Sequence, residues 1–475
     1  MERISSKLFY QYFICPSWVW FDRFGDPARK GATGELQQKL IEQGVAFESQ
    51  FMHQFFKNRA VTTITANNWD AAVAETTRAM KAGAGVIYQG RLRTAHYEGI
   101  PDLLMRRPGK SKFGEWYYEP IDIKSAYDLK DEHKYQLMLY TLILADVQGF
   151  EPPNAGVITA SGQPIEFKIE EFRERFFSCL EKIELIVGGE KPPMQLTKAC
   201  TNSPWFACCL EDAEKADDIA LLYKVDKRAL KALREFGICT VEDARHIDPE
   251  SFGDKIPYLK KNGLERMKLQ AESLKTGKIF PRHATQLPSA PLEIYFDIEG
   301  DPLHGVDYLF GVLVFDRSTG SEVYQPFLAE HPEDEPKMWR EFVDWIKSLP
   351  SDYVVFHYAP YETARMKMFA ARYAADMDAL DRTAVATFTA RLFDLNDVVK
   401  EDFIFPIYFY GLKQICKFLG FDWRSAKAGG AQSIFWYEEW LTSGNREILN
   451  TVVDYNEDDV RATKFLRDWI HNFAS

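Results

Sequence analysis

The stretch Asp297-Ile298-Glu299-Gly300-Asp301 follows the apolar run Leu292–Phe296, so it sits at the end of an expected strand. Alternation along a strand places Asp297 and Glu299 on one face. Two carboxylates held together there call for a cation, because paired like charges are costly to bury. More than 150 residues later comes Tyr455-Asn456-Glu457-Asp458-Asp459. On a helix, Tyr455 and Asp459 project from one face, one turn apart. Glu362, in Phe356-His357-Tyr358-Ala359-Pro360-Tyr361-Glu362, adds a carboxylate just past another strand-like run, and Asp394 is a further candidate. Hard divalent ions such as Mg²⁺ or Mn²⁺ prefer oxygen ligands of this kind. Two such ions a few Å apart can activate a water and stabilise the leaving oxygen of a phosphodiester. The metal candidates are therefore Asp297, Glu299, Glu362 and Asp459, with the Tyr455 phenol placed to orient the water.

A second acidic set lies in the N-terminal half. Gly99-Ile100-Pro101-Asp102 leads into a strand-like pair, and Pro120-Ile121-Asp122-Ile123-Lys124 follows about twenty residues on. Asp122 and Lys124 share a strand face. The carboxylate can hold a metal while the ammonium steadies negative charge on phosphorus. Gln136 and Tyr140 lie one turn apart on a helix, and Glu48 is an acid on an earlier one.

Both sets resemble known nuclease families. Asp297-x-Glu299, His357-Tyr358-x-x-Tyr361-Glu362 and Tyr455-x-x-x-Asp459 resemble, in order, the motifs of the DEDD (DnaQ-like) exonuclease superfamily in its tyrosine form. Glu362 stands where those enzymes usually have Asp. Tyr410-Gly411-Leu412-Lys413 and Leu419-Gly420-Phe421 resemble the segment before the last motif, and the YprB-type RNase H-like domain is the nearest subgroup. The resemblance implies one ion on Asp297, Glu299 and Asp459, another on Asp297 and Glu362, and a water on Tyr455.

Asp102, Asp122, Lys124 and Gln136-x-x-x-Tyr140 resemble the RecB-like branch of the PD-(D/E)xK nucleases. There Asp102 and Asp122 are the acids, Lys124 is the lysine, and Glu48 stands where many relatives carry His. That branch often holds a 4Fe-4S cluster on one early and three later cysteines. The resemblance gives that role to Cys15, Cys200 and Cys209, with Ser203 in the place of one ligand and Cys208 as its substitute. Cys179, Cys239 and Cys416 are read as core thiols.

These sites need elements to carry them. A chain of 475 residues is long enough for two or three domains. The expected architecture is multidomain α/β. A restriction-endonuclease-like α/β domain is expected over 1–215, with an amphipathic helix Leu36–Lys57, strands near Val86–Gln89, Ile100–Met105 and Trp116–Lys124, and a buried helix Lys134–Val147. A small helix-hairpin-helix-like segment is expected over 216–285, where Gly237 turns the chain and Thr240 caps the next helix. Its Lys227, Arg228, Lys231 and Gly237 are candidates for phosphate contact. Lys278–Pro291, with three prolines, reads as a linker. An RNase H-like α/β domain is expected over 290–475, with strands Leu292–Asp297, Leu309–Phe315, Glu322–Leu328 and Tyr353–His357. Arg106–Lys112 reads as a flexible hairpin loop that can touch substrate.

The formal net charge of −12 argues against a broadly basic surface, though a local basic channel can still guide phosphates. Seven cysteines in so long a chain do not form a disulfide-framework pattern. No run of eighteen apolar residues and no signal-peptide pattern is found, so a cytoplasmic protein with no membrane partner is expected. The whole points to a metal-dependent nuclease with a 3′-5′ exonuclease centre and a second, RecB-like DNA centre, acting on DNA in preference to RNA. The alternatives are a nucleic-acid-binding scaffold with one or both centres inactive, or an RNA-processing exonuclease.

Overall fold

The computed structural model describes residues 3–474 apart from 33–43, 45–46, 55–56, 58–59, 125–128, 130, 160–163, 254, 302–304 and 426–431. Its contacts divide the chain into two units, Met1–Lys215 and Ala216–Ser475.

The first unit opens with helices α1 (Ser6–Ile14) and α2 (Pro16–Phe24). Strands β1 (Thr62–Thr63), β2 (Val86–Tyr88), β3 (Leu103–Ser111), β4 (Gly114–Ile123), β5 (Asn154–Ile158) and β6 (Pro164–Lys168) form one six-stranded sheet in that order. β4 is buried continuously from Tyr117 to Ile123, as expected of a central strand covered on both faces. Helix α3 (Asp131–Gln148) buries Leu137, Leu139, Tyr140, Ile143 and Leu144 in the same core cluster as Tyr118 and Val157. Helix α4 (Ile169–Val187) adds Phe172, Phe176, Leu180 and Ile183 to it. Most of the expected helix Leu36–Lys57 lies outside the described residues, of which 47–54 are helical.

One expectation fails here. Arg106–Ser111 is not a loop but the second half of β3, paired with β4 through a register shift between Pro108 and Ser111. β2 pairs β3 only as far as Met105. Pro108 therefore stands where the described sheet continues on one side only, and a missing N–H is tolerated there. Arg107 is held on Glu119 and Glu166 at 2.6 and 3.0 Å rather than swinging free.

The second unit begins with short helices. Helix α5 (Lys227–Glu235) is N-capped by Asp226, Gly237 turns the chain at φ +78°, and Thr240 with Asp243 forms the capping box of α6 (Val241–Arg245). Cys239 sits at this turn and is exposed, not a core thiol. Helix α7 (Lys261–Thr276) follows. The segment read as a linker is tied down: Phe280–Pro281 pairs with Phe403–Ile404, and the Arg282 guanidinium donates to the Glu401 carbonyl and to Asn262.

Strands β7 (Leu292–Asp301), β8 (Val306–Asp316), β9 (Ser321–Leu328), β10 (Tyr353–His357) and β11 (Leu392–Asp394) make a five-stranded sheet ordered β9-β8-β7-β10-β11. β7 is antiparallel to β8 and parallel to β10. Its even residues Ile294, Phe296 and Ile298 enter the cluster of helix α8 (Glu335–Ser348), with Trp339, Phe342 and Ile346. Tyr295, on the odd face, enters a cluster with Val460, Leu466 and Ile470 of the long C-terminal helix. Helices α9 (Tyr361–Arg372), α10 (Leu412–Phe418), α11 (Gln432–Ser443) and α12 (Arg446–Ala474) complete the parts that matter below. Along α12, Leu449, Val452, Asn456, Asp459, Thr463, Leu466 and Ile470 are buried at three- and four-residue steps, a continuous stripe laid over the odd face of β7. Among the described residues, no helix is long and apolar enough to cross a membrane.

Candidate active site

Asp297 and Glu299 continue the odd face of β7 beyond Tyr295, and α12 brings Asp459 down onto the same face. One oxygen from each of the three lies within 4.8 Å of the others. Among the described residues this is the only group of three or more His, Cys, Asp or Glu side chains that converges so closely. Glu299 and Asp459 are buried, and Asp297 is half-buried. Each acid is held. Ser433 of α11 donates to Glu299 Oε2 at 2.5 Å, Trp423 Nε1 to Asp459 Oδ1 at 2.6 Å, and Asn456 Nδ2 to Asp297 Oδ2 at 2.7 Å.

Burial is the largest influence on these acids, and it disfavours their charge. It raises Asp297 well above the ordinary carboxylate range, with Glu299, Asp459 and Glu362 adding to the rise. It pushes Glu299 up to about 8, with Asp459 adding while Ser433 and Lys413 oppose. Asp459 also moves upward by burial, against the pull of Lys413, Trp423 and Tyr455. Three converging hard-oxygen donors that repel one another fit a divalent ion, which removes the repulsion.

Glu362 opens α9 after a turn in which Ala359 adopts φ +79°, a conformation that costs a non-glycine residue about 1–3 kcal/mol. Asp394 accepts from Ala359 N at 2.8 Å and so holds this turn, and it is not one of the three acids that converge within 4.8 Å. Glu362 is buried with Oε2 3.1 Å from His357 Nδ1. Burial opposes charge on His357, but the Glu362 carboxylate outweighs it and raises the imidazole. Tyr455 lies in the wall of the site, its ring edge-on to Trp436 at 5.9 Å and its oxygen 2.5 Å from Lys413 Nζ.

The RNase_H_2 family model, of the RNase H superfamily, matches residues 294–471. Residues 294–471 form an RNase H-like domain. The match spans β7, which carries Asp297 and Glu299, and the part of α12 that carries Asp459. No curated protein matches the chain.

Sequence reasoning missed several parts of this RNase H-like centre. Asn456 lies inside the Tyr455–Asp459 motif, and Ser433 and Trp423 lie outside every motif; none carries a signal of its own. Gly311 is another. It pairs with Asp297 across the sheet, and a Cβ there would stand 1.5 Å from Asn456 Oδ1. Asn456 receives the Tyr324 hydroxyl on that oxygen at 2.9 Å while its amide holds Asp297. Gly311→Ala is expected to push Asn456 off Asp297 and lower divalent affinity about 10–100-fold, the range for residues that orient metal ligands. Isothermal titration with Mn²⁺ measures it; an unchanged affinity would show that the Asn456 contact is dispensable.

In the first unit, Asp102 precedes β3 and Asp122 lies on β4. The Asp102 carboxylate accepts from Ile123 N at 2.7 Å, and Asp122 Oδ1 accepts from Asp102 N at 3.4 Å. Lys124 Nζ stands 3.3 Å from Asp122 Oδ2, out of hydrogen-bond alignment, and that buried oxygen has no hydrogen-bond partner. Burial raises Asp102 well above its ordinary value, with Asp122 and Glu48 adding and Lys124 opposing. Glu48 accepts from Gln89, which is itself in a left-handed conformation at φ +55°. Gln136 Nε2 donates to Tyr140 Oη at 2.8 Å. Gly99 makes room for this tyrosine, since a Cβ there would stand 2.4 Å from its ring. Asp122 Oδ2, ion-paired with Lys124 but without a hydrogen bond, and the Asp102 carboxylate are hard oxygen donors of the kind a divalent ion takes.

Cys15, Cys200, Cys208 and Cys209 share one buried cluster with Trp18, Phe21 and Trp205. Cys200 turns its thiol to the Ile14 and Gln195 carbonyls at 3.6 and 3.5 Å, and Cys208 to the Arg29 carbonyl at 3.5 Å. Ser203 Oγ accepts from Trp205 N. With Cys208 turned to Arg29 and Ser203 Oγ occupied by Trp205 N, Cys15, Cys200 and Cys209 fall short of the four ligands a 4Fe-4S cluster takes. In the helical segment, Arg228 stacks on exposed Tyr258 at 5.4 Å and Lys231 lies 3.7 Å from Glu235. Lys227 opens the same helix. A Cβ at Gly237 would meet nothing within 4 Å among the described residues.

Proposed function

We propose that this chain is a metal-dependent nuclease whose principal centre is the Asp297–Glu299–Asp459 triad, removing nucleotides from a 3′ end. The observation that carries the reading is the convergence of these three carboxylates within 4.8 Å on the face covered by α12. A divalent ion, when bound, supplies a Lewis acid for the phosphodiester and lowers the pKa of the attacking water. The chain supplies the rest. Asp297, Glu299 and Asp459 hold the ion, and Asn456, Ser433 and Trp423 fix their orientation. Tyr455 orients the water. Glu362, steadied by His357, is the further acid for a second ion beside Asp297.

The Asp102–Asp122–Lys124 set supports a second, RecB-like centre. There Asp102 and Asp122 hold an ion, Glu48 and Gln136 with Tyr140 shape the surroundings, and Lys124 stabilises charge gathering on the phosphate. Lys227, Arg228, Lys231 and the backbone at Gly237 serve as a phosphate contact for the nucleic acid. DNA is the expected substrate of both centres.

The test is hydrolysis of 5′-labelled single-stranded DNA and RNA oligonucleotides with Mg²⁺ or Mn²⁺. Asp297→Asn should remove stepwise 3′ shortening by more than about 100-fold, beyond the range for residues that only orient ligands. Asp122→Asn should remove only the remaining cleavage. Identical digestion by wild type and both variants would defeat the assignment, and faster digestion of RNA would redirect the substrate.

A further inference from the structure

Lys413 stands in the first turn of α10, half-buried, with its ammonium against Tyr455. Nζ lies 2.5 Å from Tyr455 Oη, 4.1 Å from the centre of that ring and 5.8 Å from the Trp423 ring. Trp423 in turn donates to Asp459. The electrostatic neighbours of Lys413 are Asp459, Glu299, Asp297 and Asp458.

An ammonium has three donors and no acceptor, so its contact with a phenol has one polarity. Tyr455 oxygen accepts from Lys413, which leaves the phenolic proton to be donated elsewhere. Tyr455 and Asp459 lie one helical turn apart on α12. A tyrosine wired this way can donate to a water oxygen but cannot take a proton from it.

We infer that Lys413 is a positioning residue of this centre: it holds Tyr455 as a donor toward the attacking water, and it supplies a resident positive charge with which a divalent ion competes for the triad. The first half rests on the nuclease reading above; the second does not.

The experiment compares wild type, Lys413→Met, Lys413→Arg, Tyr455→Phe and the Lys413→Met/Tyr455→Phe double variant. In the hydrolysis assay, Lys413→Met should lower kcat about 10–100-fold, the scale of lost outer partners, with KM unchanged. Tyr455→Phe should cost a similar factor, and the double variant no more than either single change, because the two act as one unit. Losses that multiply, or a loss confined to KM, overturn the positioning role. Calorimetric titration of substrate-free protein with Mn²⁺ provides the second readout. Lys413→Met should bind Mn²⁺ at least about tenfold more tightly, since unit charges a few Å apart interact strongly where water is partly excluded. Lys413→Arg should restore the wild-type affinity, and Tyr455→Phe should leave it near wild type. If wild type cleaves nothing, the nuclease reading falls. The Mn²⁺ titration then decides the charge role alone, and unchanged affinity in Lys413→Met overturns it. Melting of each variant in EDTA identifies any that fails to fold.

Discussion

Asp297→Asn is expected to stabilise the metal-free protein at alkaline pH while abolishing its stabilisation by Mn²⁺. In wild type without metal, Asp297, Glu299 and Asp459 confront one another with oxygens within 4.8 Å. Burial, with Asp459 behind it, lifts Glu299 to about 8 from an ordinary value of 4.5. A folded-state value above the unfolded one means the folded chain holds the proton more tightly. Its stabilising contribution is complete below about pH 4.5 and is lost as pH rises through about 8. Melting in EDTA should therefore fall steadily between pH 5 and 8.5. Asp297→Asn removes one of the repelling charges, so its melting curve should depend less on pH and lie several degrees higher at pH 8. Saturating Mn²⁺ reverses the loss in wild type, by about 2.7 kcal/mol at a hundredfold excess over Kd, and does little for the variant. A wild-type melting temperature that ignores both pH and Mn²⁺ would show that the three acids do not act as a joint site.

The second large effect lies at the other end of the same two elements. Glu293 is fully buried on β7 and accepts from Arg467 of α12 and from Arg317, each at 2.6 Å, with Tyr295 Oη at 2.7 Å. Arg467 is itself buried. Arg467→Met leaves the Glu293 charge short of a partner in a dry place. Removing one member of a buried pair costs about 3–5 kcal/mol, which lowers melting by roughly 10 °C for a unit of this size. Because Glu293–Arg467 joins β7 to α12, Mn²⁺ affinity should fall with it. Arg461, half-buried and paired with Glu457 one turn away at 2.8 Å and with Glu322 at 3.1 Å, is the control; Arg461→Met should cost less than about 1 kcal/mol. Equal losses in the two variants would mean that the buried pair does not brace the site.

Much of the C-terminal part is legible in the chain because it depends on short periods. The alternation from Leu292 onward reveals both a strand and the shared face of Asp297 and Glu299. The helical step from Tyr455 to Asp459 reveals their common side. The turn at Gly237 and the cap at Thr240 follow from local backbone chemistry alone. Arg106–Lys112 misleads because Pro108 and Gly109 carry the composition of a loop. Whether they break a strand depends on what lies beside them, and there the sheet continues on one side only. Cys239 misleads for a similar reason: an apolar context within the chain does not say whether a turn faces the core.

What the amino-acid order determines by itself is which acids can share a face, since that follows from residue spacing along one element. Which acids meet, and what holds them, is decided by tertiary structure. The approach of Asn456 to Asp297 needs the space left by Gly311 on a neighbouring strand. Lys413 reaches Tyr455 across 42 positions of chain. Ser433 reaches Glu299 across 134. Such contacts depend on strand register, the irregularity after Glu299 and the seating of α12 on the sheet, and no local period encodes these.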